Sequence, residues 1–131
     1  MDDWRHKSAG ELGRAIGAGR IDPVALAELF LDAARAHPDG THIYARLTET
    51  RALAEARAAR DRARAGHRRG LLDGVPVSWK DLYDSAGTET EAGSALLKGR
   101  IPDTDAEVLA TATAQGLVCL GKTHMTELAF S

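Results

Sequence analysis

The sequence predicts an α/β protein: a helical N-terminal part followed by an α/β part whose sheet has some parallel pairing. Three observations predict it. Composition breaks near Gly70, from an Ala- and Arg-rich part of net charge +3 to a Gly-, Thr- and Val-rich part of net charge −5. Caps and apolar spacing in the first part are helical. In the second part a helical pattern runs directly into the apolar segment Leu117–Leu120, the order of a sheet with some parallel pairing. With 131 residues, the chain is one domain or part of one, mainly helical over 1–70 and α/β over 71–131.

The elements follow in order. Ser8 and Glu11 fit a capping box, and Leu12 and Ile16 share one face of the helix it opens; Gly17 and Gly19 stop it. Asp22 caps a second helix with Pro23 at its first position, and Leu26, Leu29, Phe30 and Ala33 form its apolar stripe. His37-Pro38-Asp39-Gly40 ends it, because the residue before proline avoids the helical region. Ile43, Ala45 and Leu47 alternate with Tyr44 and Arg46 as a short strand. Thr48 caps a third helix over about 48–65, whose core-facing side is mostly Ala and so must pack close against its neighbour. Val75–Trp79 is a strand, and Pro76, lacking an amide donor, places it at an edge or puts Pro76 at its start. Residues 84–94 are a loop. Thr104 and Glu107 form a second capping box opening a helix with Val108, Leu109 and Ala112 on one side, stopped by Gly116 before the buried strand 117–120.

Composition excludes several classes. A net charge of −2 is unlike a strongly basic nucleic-acid binder, and a single cysteine, Cys119, allows neither a disulfide framework nor a cysteine zinc site. No apolar run approaches the ~18 residues of a membrane span. The N-terminus, from Met1-Asp2-Asp3, is polar and unlike a signal peptide, so a cytoplasmic protein is expected.

Candidate chemistry is sparse. Gly116–Thr123 matches the phosphate-loop pattern G-x-x-x-x-G-K-[ST], but the four middle residues are the strand itself and a helix precedes them. Nucleotide binding is therefore not expected, and Lys122 reads as a structural or loop-positioning residue. His124 and Glu127 are two possible metal ligands without a third, so no metal and no other cofactor is expected. Cys119 reads as a small core residue. Arg57, Arg60, Arg64, Arg68 and Arg69, interleaved with Glu55 and Asp61, read as a solvated helix face rather than an anion patch. Lys80 differs: it ends an apolar strand, a rigid platform, and a lysine kept from water can supply a neutral amine near pH 7.

Four segments carry a family resemblance. Gly74-Val75-Pro76-Val77-Ser78-Trp79-Lys80-Asp81 resembles the G-[IV]-P-[IV]-x-x-K-D segment of the amidase signature family. Residues 86–94 resemble its following T-x-A-G-S loop, Asp105–Leu109 its D-A-x-V-[VL] helix start, and Gly121–Phe130 its G-K-T-N-M-x-E-[FL]-A stretch. Order and spacing agree, and the resemblance, which covers nearly the whole chain, implies N-terminal helices followed by the first strands and helices of a mixed sheet that is incomplete within the chain. It implies a Ser–Ser–Lys hydrolase that opens carboxamides through an acyl-enzyme, with Lys80 as the ultimate base and Ala129 and Phe130 near the apolar wall of the substrate pocket. The implied partner is a small-molecule amide, with no nucleic acid or membrane. His124 stands where the family usually has Asn, and Trp79 is bulkier than usual beside the lysine.

The family's two serines lie in a Gly/Ser-rich stretch beyond the G-K-T-N-M segment. Ser8, Ser78, Ser85, Ser94 and Ser131 match neither role, so the 131-residue chain is not expected to hydrolyse amides by itself. One alternative is the glutaminase component of a tRNA-dependent amidotransferase, its A subunit, which releases ammonia from glutamine. The other is a non-catalytic interaction fragment. An uncovered sheet edge is expected to favour homodimers or other association.

Overall fold

The structure is a computed structural model and describes residues 3–130. Met1, Asp2 and Ser131 lie outside the described residues, and with them the readings placed there. After a 3₁₀ turn at Trp4–His6 come α1 (Ala9–Gly17), α2 (Pro23–Ala36), α3 (Gly40–Ile43), β1 (Tyr44–Leu47), α4 (Glu49–Ala65), β2 (Pro76–Lys80), α5 (Glu107–Ala114) and β3 (Val118–Thr123). The strands form one sheet in the order β1-β3-β2, with β3 antiparallel to β1 and parallel to β2. It is the mixed sheet expected. Pro76 opens β2, an edge strand among the described residues, where its missing N–H leaves no ladder bond unmade.

The first two helices begin as their sequences dictate. Ser8 Oγ accepts the Glu11 amide at 3.1 Å and Glu11 Oε2 accepts the Ser8 amide at 2.6 Å. Asp22 Oδ1 accepts the Val24 amide at 2.7 Å ahead of Pro23. Along α2 the fully buried residues are Leu26, Ala27 and Leu31, while Leu29, Phe30 and Ala33 of the expected stripe are half-buried. Ala52, Ala56 and Ala59 of α4 are buried, and with Ala27, Leu31, Val118 and Leu120 most of this stripe makes one core between the two helices and the sheet. A second cluster, Leu12, Ile16, Leu26 and Val75, packs α1 on the start of β2.

Four local expectations are corrected. Ile43 lies in the short α3 and is 46% exposed, so the strand begins at Tyr44, and all four residues of β1 are half-buried rather than alternating. Thr48 occupies the N-cap of α4, but its hydroxyl donates to the Cys119 carbonyl at 2.7 Å instead of accepting a helix amide. Glu55 Oε1 accepts the Cys119 amide at 2.8 Å. Cys119 lies outside the β1 ladder, and α4 side chains satisfy its backbone there. The capping box at Thr104–Glu107 is not formed: α5 starts after Ala106, two residues past Thr104, without a side-chain cap, and the Asp105 carboxylate between them binds Arg51 at 2.7 and 2.9 Å and the Ala86 amide at 2.8 Å. On α5 only Leu109 is buried, and Val108 is 50% exposed.

The arginine-rich face is only partly solvated. Arg68 Nη2 donates to the carbonyls of Leu71 and Asp73 at 3.1 Å each, and Arg69 Nη1 reaches those of Thr113 and Ala114. Arg62 binds Asp73 with two hydrogen bonds of 2.9 and 2.6 Å. These arginines tie α4 to the turn before β2 and to the end of α5, since carbonyls at turns and helix ends need donors. Among the described residues no helix is long and apolar enough to cross a membrane.

Candidate active site

The parallel strands β2 and β3 end together, Lys80 opposite Thr123, and in open α/β sheets ligands bind outside such carboxyl ends. Register is regular over the last three pairs, Ser78 with Gly121, Trp79 with Lys122 and Lys80 with Thr123. Side chains alternate along a strand, so Ser78 and Lys80 share one face and Trp79 the other.

On the Ser78 face, Tyr44 of β1 crosses β3 to share a 2.5 Å hydrogen bond between its hydroxyl and that of Ser78. Gly121 makes room for this crossing: a Cβ there would lie 2.9 Å from the Arg46 carbonyl and 3.0 Å from the Tyr44 ring. Lys80 projects on this face and is exposed. Its carbonyl accepts the Tyr83 amide at 3.1 Å, closing a turn at the strand end. The described residues therefore hold the Lys80 backbone but do not shield its amine from water.

The buried lysine is Lys122. It is fully buried, and its Nζ donates to the Tyr83 carbonyl at 2.8 Å and to Thr90 Oγ1 at 2.9 Å, with Asp81 Oδ1 at 3.5 Å. Burial pushes its pKa down, against the pull of Asp81. The phosphate-loop match is thus strand from Val118 to Thr123, with its lysine committed to a loop. Asp81, 3% exposed, is the hub: Arg46 Nη1 donates to Oδ1 at 2.5 Å, and the Glu91 amide donates to Oδ2 at 3.3 Å. Arg46 also donates to the Glu89 carbonyl at 2.8 Å and to Glu91 Oε1 at 3.2 Å. Sequence reading singled out Lys80 and missed Arg46 and Asp81; the available signal was the charged pair at the strand end, whose second member is buried while the first is not.

After β3, Ala129 closes a 3₁₀ turn at Glu127–Ala129 and Phe130 follows it, and both are exposed, Phe130 by 89%. Leu128 and Ala129 have φ of 51° and 62°, a backbone region that non-glycine residues seldom adopt. The segment is stitched to the loop after Lys80: the Leu128 amide donates to the Ala92 carbonyl at 2.8 Å and Ser94 Oγ to Glu127 Oε2 at 3.0 Å. The structure thus ties the segment carrying Ala129 and Phe130 to the loop that follows Lys80. His124 Nε2 lies 2.9 Å from the Thr41 carbonyl, so it and Glu127 have separate partners, and among the described residues no three His, Cys, Asp or Glu side chains group as metal ligands. Cys119 is buried and its thiol is pushed up by that burial, which suits packing rather than nucleophilic attack.

Comparison with known proteins agrees with this geometry. The family model described as Amidase matches residues 25–131. The A subunit of the glutamyl-tRNA(Gln) amidotransferase of Marinobacter nauticus is 40% identical over 124 residues, which are 95% of this chain and 25% of that protein. Among solved structures, the native peptide amidase of Stenotrophomonas maltophilia superposes with a TM-score of 0.86 at 31% identity, over 95% of this chain and 26% of that one. An amidase family protein from Bacillus anthracis gives 0.82 at 28% identity, over 93% and 25%. The chain spans about a quarter of the length of the curated relatives it matches. With its family model covering most of the residues and its mixed sheet superposing on amidases, the chain belongs to the amidase family.

Proposed function

We propose that this chain is the lysine-bearing part of an amidase that hydrolyses a carboxamide C–N bond through an acyl-enzyme, with Lys80 as the base. The observation that carries the reading is Lys80 itself: it matches the family's lysine in its motif, and it stands at the joint carboxyl end of β2 and β3 on a held backbone. In the scheme one serine attacks the amide carbonyl, a second serine passes on its proton, and Lys80 Nζ accepts it; the amine then returns a proton to the leaving nitrogen. Both serines come from outside this chain, and so does the cover that would exclude water from Lys80. Ala129 and Phe130 are offered as part of the pocket wall, their segment being tied to the loop that follows Lys80.

The test is turnover of a panel of primary carboxamides by the complete protein that contains this sequence. Lys80→Ala is expected to lower kcat by about 10³-fold or more, the scale of losing a general base in a coupled set. The 131-residue chain assayed alone is expected to show no turnover. Turnover by the chain alone that Lys80→Ala abolishes would overturn the division of labour; full activity in Lys80→Ala would overturn the role of Lys80.

A second reading has its own support: eight curated relatives, 34–40% identical, are named as the A subunit of glutamyl-tRNA(Gln) amidotransferases. In that role the same lysine chemistry would release ammonia from glutamine within a complex of further subunits. Ammonia release from glutamine that rises on adding those subunits, with no turnover of simple carboxamides, would favour it.

A further inference from the structure

Beneath the strand end lies a charge network that the scheme above does not use. Its members are Arg46 from β1, Lys122 from β3, Asp81 at the end of β2 and Glu91 from the following loop. Two cations face the carboxylates of Asp81 and Glu91, and Glu89 Oε2 lies 3.9 Å from Arg46 Nε. Every polar group of Asp81 is engaged: its amide donates to the Thr123 carbonyl at 3.0 Å, its carbonyl accepts the Ala92 amide at 2.9 Å, and its carboxylate takes Arg46, Lys122 and the Glu91 amide.

We infer that Arg46, Asp81 and Lys122 are positioning residues that hold Lys80 in its working direction. The inference rests on the reading of Lys80 as the base. Successive residues of a strand point to opposite faces, so a side chain pinned at Asp81 fixes the direction in which Lys80 leaves the sheet. Lys122 acts at a second point. It grips the Tyr83 carbonyl, and the Tyr83 amide in turn donates to the carbonyl of Lys80, so the turn following Lys80 is held from below. Arg46 completes the clamp by joining Asp81 to the Glu89 carbonyl and to Glu91 on the far side of the loop.

A purely structural role explains this arrangement poorly. Burying a lysine and an aspartate costs desolvation, and apolar residues of similar volume often serve stability as well or better. A fully buried Lys122 therefore secures geometry that packing alone would not. Among the described residues, the side-chain bonds of Arg46 and Lys122 converge on Asp81 and on the turn and loop that follow Lys80.

The experiment uses the complete active protein with Asp81→Asn, Lys122→Met, Lys122→Arg and Arg46→Lys, and Lys80→Ala as the reference. Folding of each variant is checked by thermal unfolding. Asp81→Asn and Lys122→Met are expected to lower kcat by about 10²-fold with KM within about two-fold, since they displace a catalytic group without touching substrate. Lys122→Arg, which keeps the charge, is expected to recover at least about ten-fold of the Lys122→Met loss. Where Asp81→Asn does not fold, Arg46→Lys at the half-buried end of the network serves, with an expected loss of about ten-fold in kcat and KM within about two-fold. Near wild-type kcat in folded variants, alongside an inactive Lys80→Ala, would overturn the positioning role and leave the base intact. An active Lys80→Ala would overturn both.

Discussion

Asp73 shows how a single residue joins three parts of this molecule. Its carboxylate is buried and receives two bonds from Arg62 and one from the Arg69 amide at 2.9 Å. Burial pushes the carboxyl up, but the Arg62 and Arg69 bonds outweigh it and hold the pKa below the usual carboxylate value. Gly116 stands against it with φ of 92°, and a Cβ there would lie 2.0 Å from Asp73 Oδ1. Glycine is required at this position for its backbone and for the close approach alike. Because the folded value lies below the unfolded value of about 3.9, the unfolded chain binds more protons in the interval between them. The stabilisation is therefore complete above about pH 5 and is lost as pH falls through the unfolded value towards the lowered folded one. Asp73→Asn is expected to cost about 3–5 kcal/mol at pH 6, the scale of breaking a buried pair. Urea unfolding of both proteins at several pH values should show that difference shrinking in acid; a difference independent of pH would contradict the assignment. At this scale the sequence was least informative. Thr48, Asp81 and Asp105 all take partners far along the chain, at Cys119, Arg46 and Arg51. The local pattern offers Thr48 as a cap, and a tertiary hydrogen bond claims its hydroxyl instead.

Among the elements, α4 depends most on side-chain size. Ala52, Ala56 and Ala59 are buried on the face that meets α2 and β3. Small side chains let the helix axis approach the sheet, and that approach lets the Thr48 hydroxyl and the Glu55 carboxylate reach the Cys119 backbone. Ala56→Leu is expected to destabilise the protein by about 1–3 kcal/mol through overpacking. The exposed Ala58→Leu should stay within about 0.5 kcal/mol. Chemical denaturation of the two variants tests this, and equal effects would contradict the close packing. Helices with strong local signals were legible: the Ser8–Glu11 box and the Asp22-Pro23 start are formed by bonds within one turn. The helix at Glu107 shows the limit: its expected cap at Thr104 is not used, and Asp105 beside it is held by a bidentate Arg51.

At the scale of the whole molecule, apolar surface remains open. Leu96 is 85% exposed, Phe130 89%, Leu128 53% and Val108 50%, and β1 and β2 are edges of the three-stranded sheet. Such surface and such edges favour association. The chain alone is expected to sediment with a weight-average mass that rises with concentration, and a constant monomer mass would contradict this. The sheet also crosses the composition break at Gly70, since β1 from the first part pairs with β3 from the second. By itself the sequence determined the starts of α1 and α2, the presence of three strands, the mixed character of the sheet, the family and Lys80 as the match to its motif lysine, because each depends on short-range pattern or motif. The tertiary structure alone decided that Lys80 is exposed while Lys122 is buried, and that Arg46, Asp81 and Lys122 meet beneath the strand end. Burial and charge pairing depend on which distant segments the fold brings together, and residues 35 and 41 positions apart in the chain carry no local sign that they will share a carboxylate.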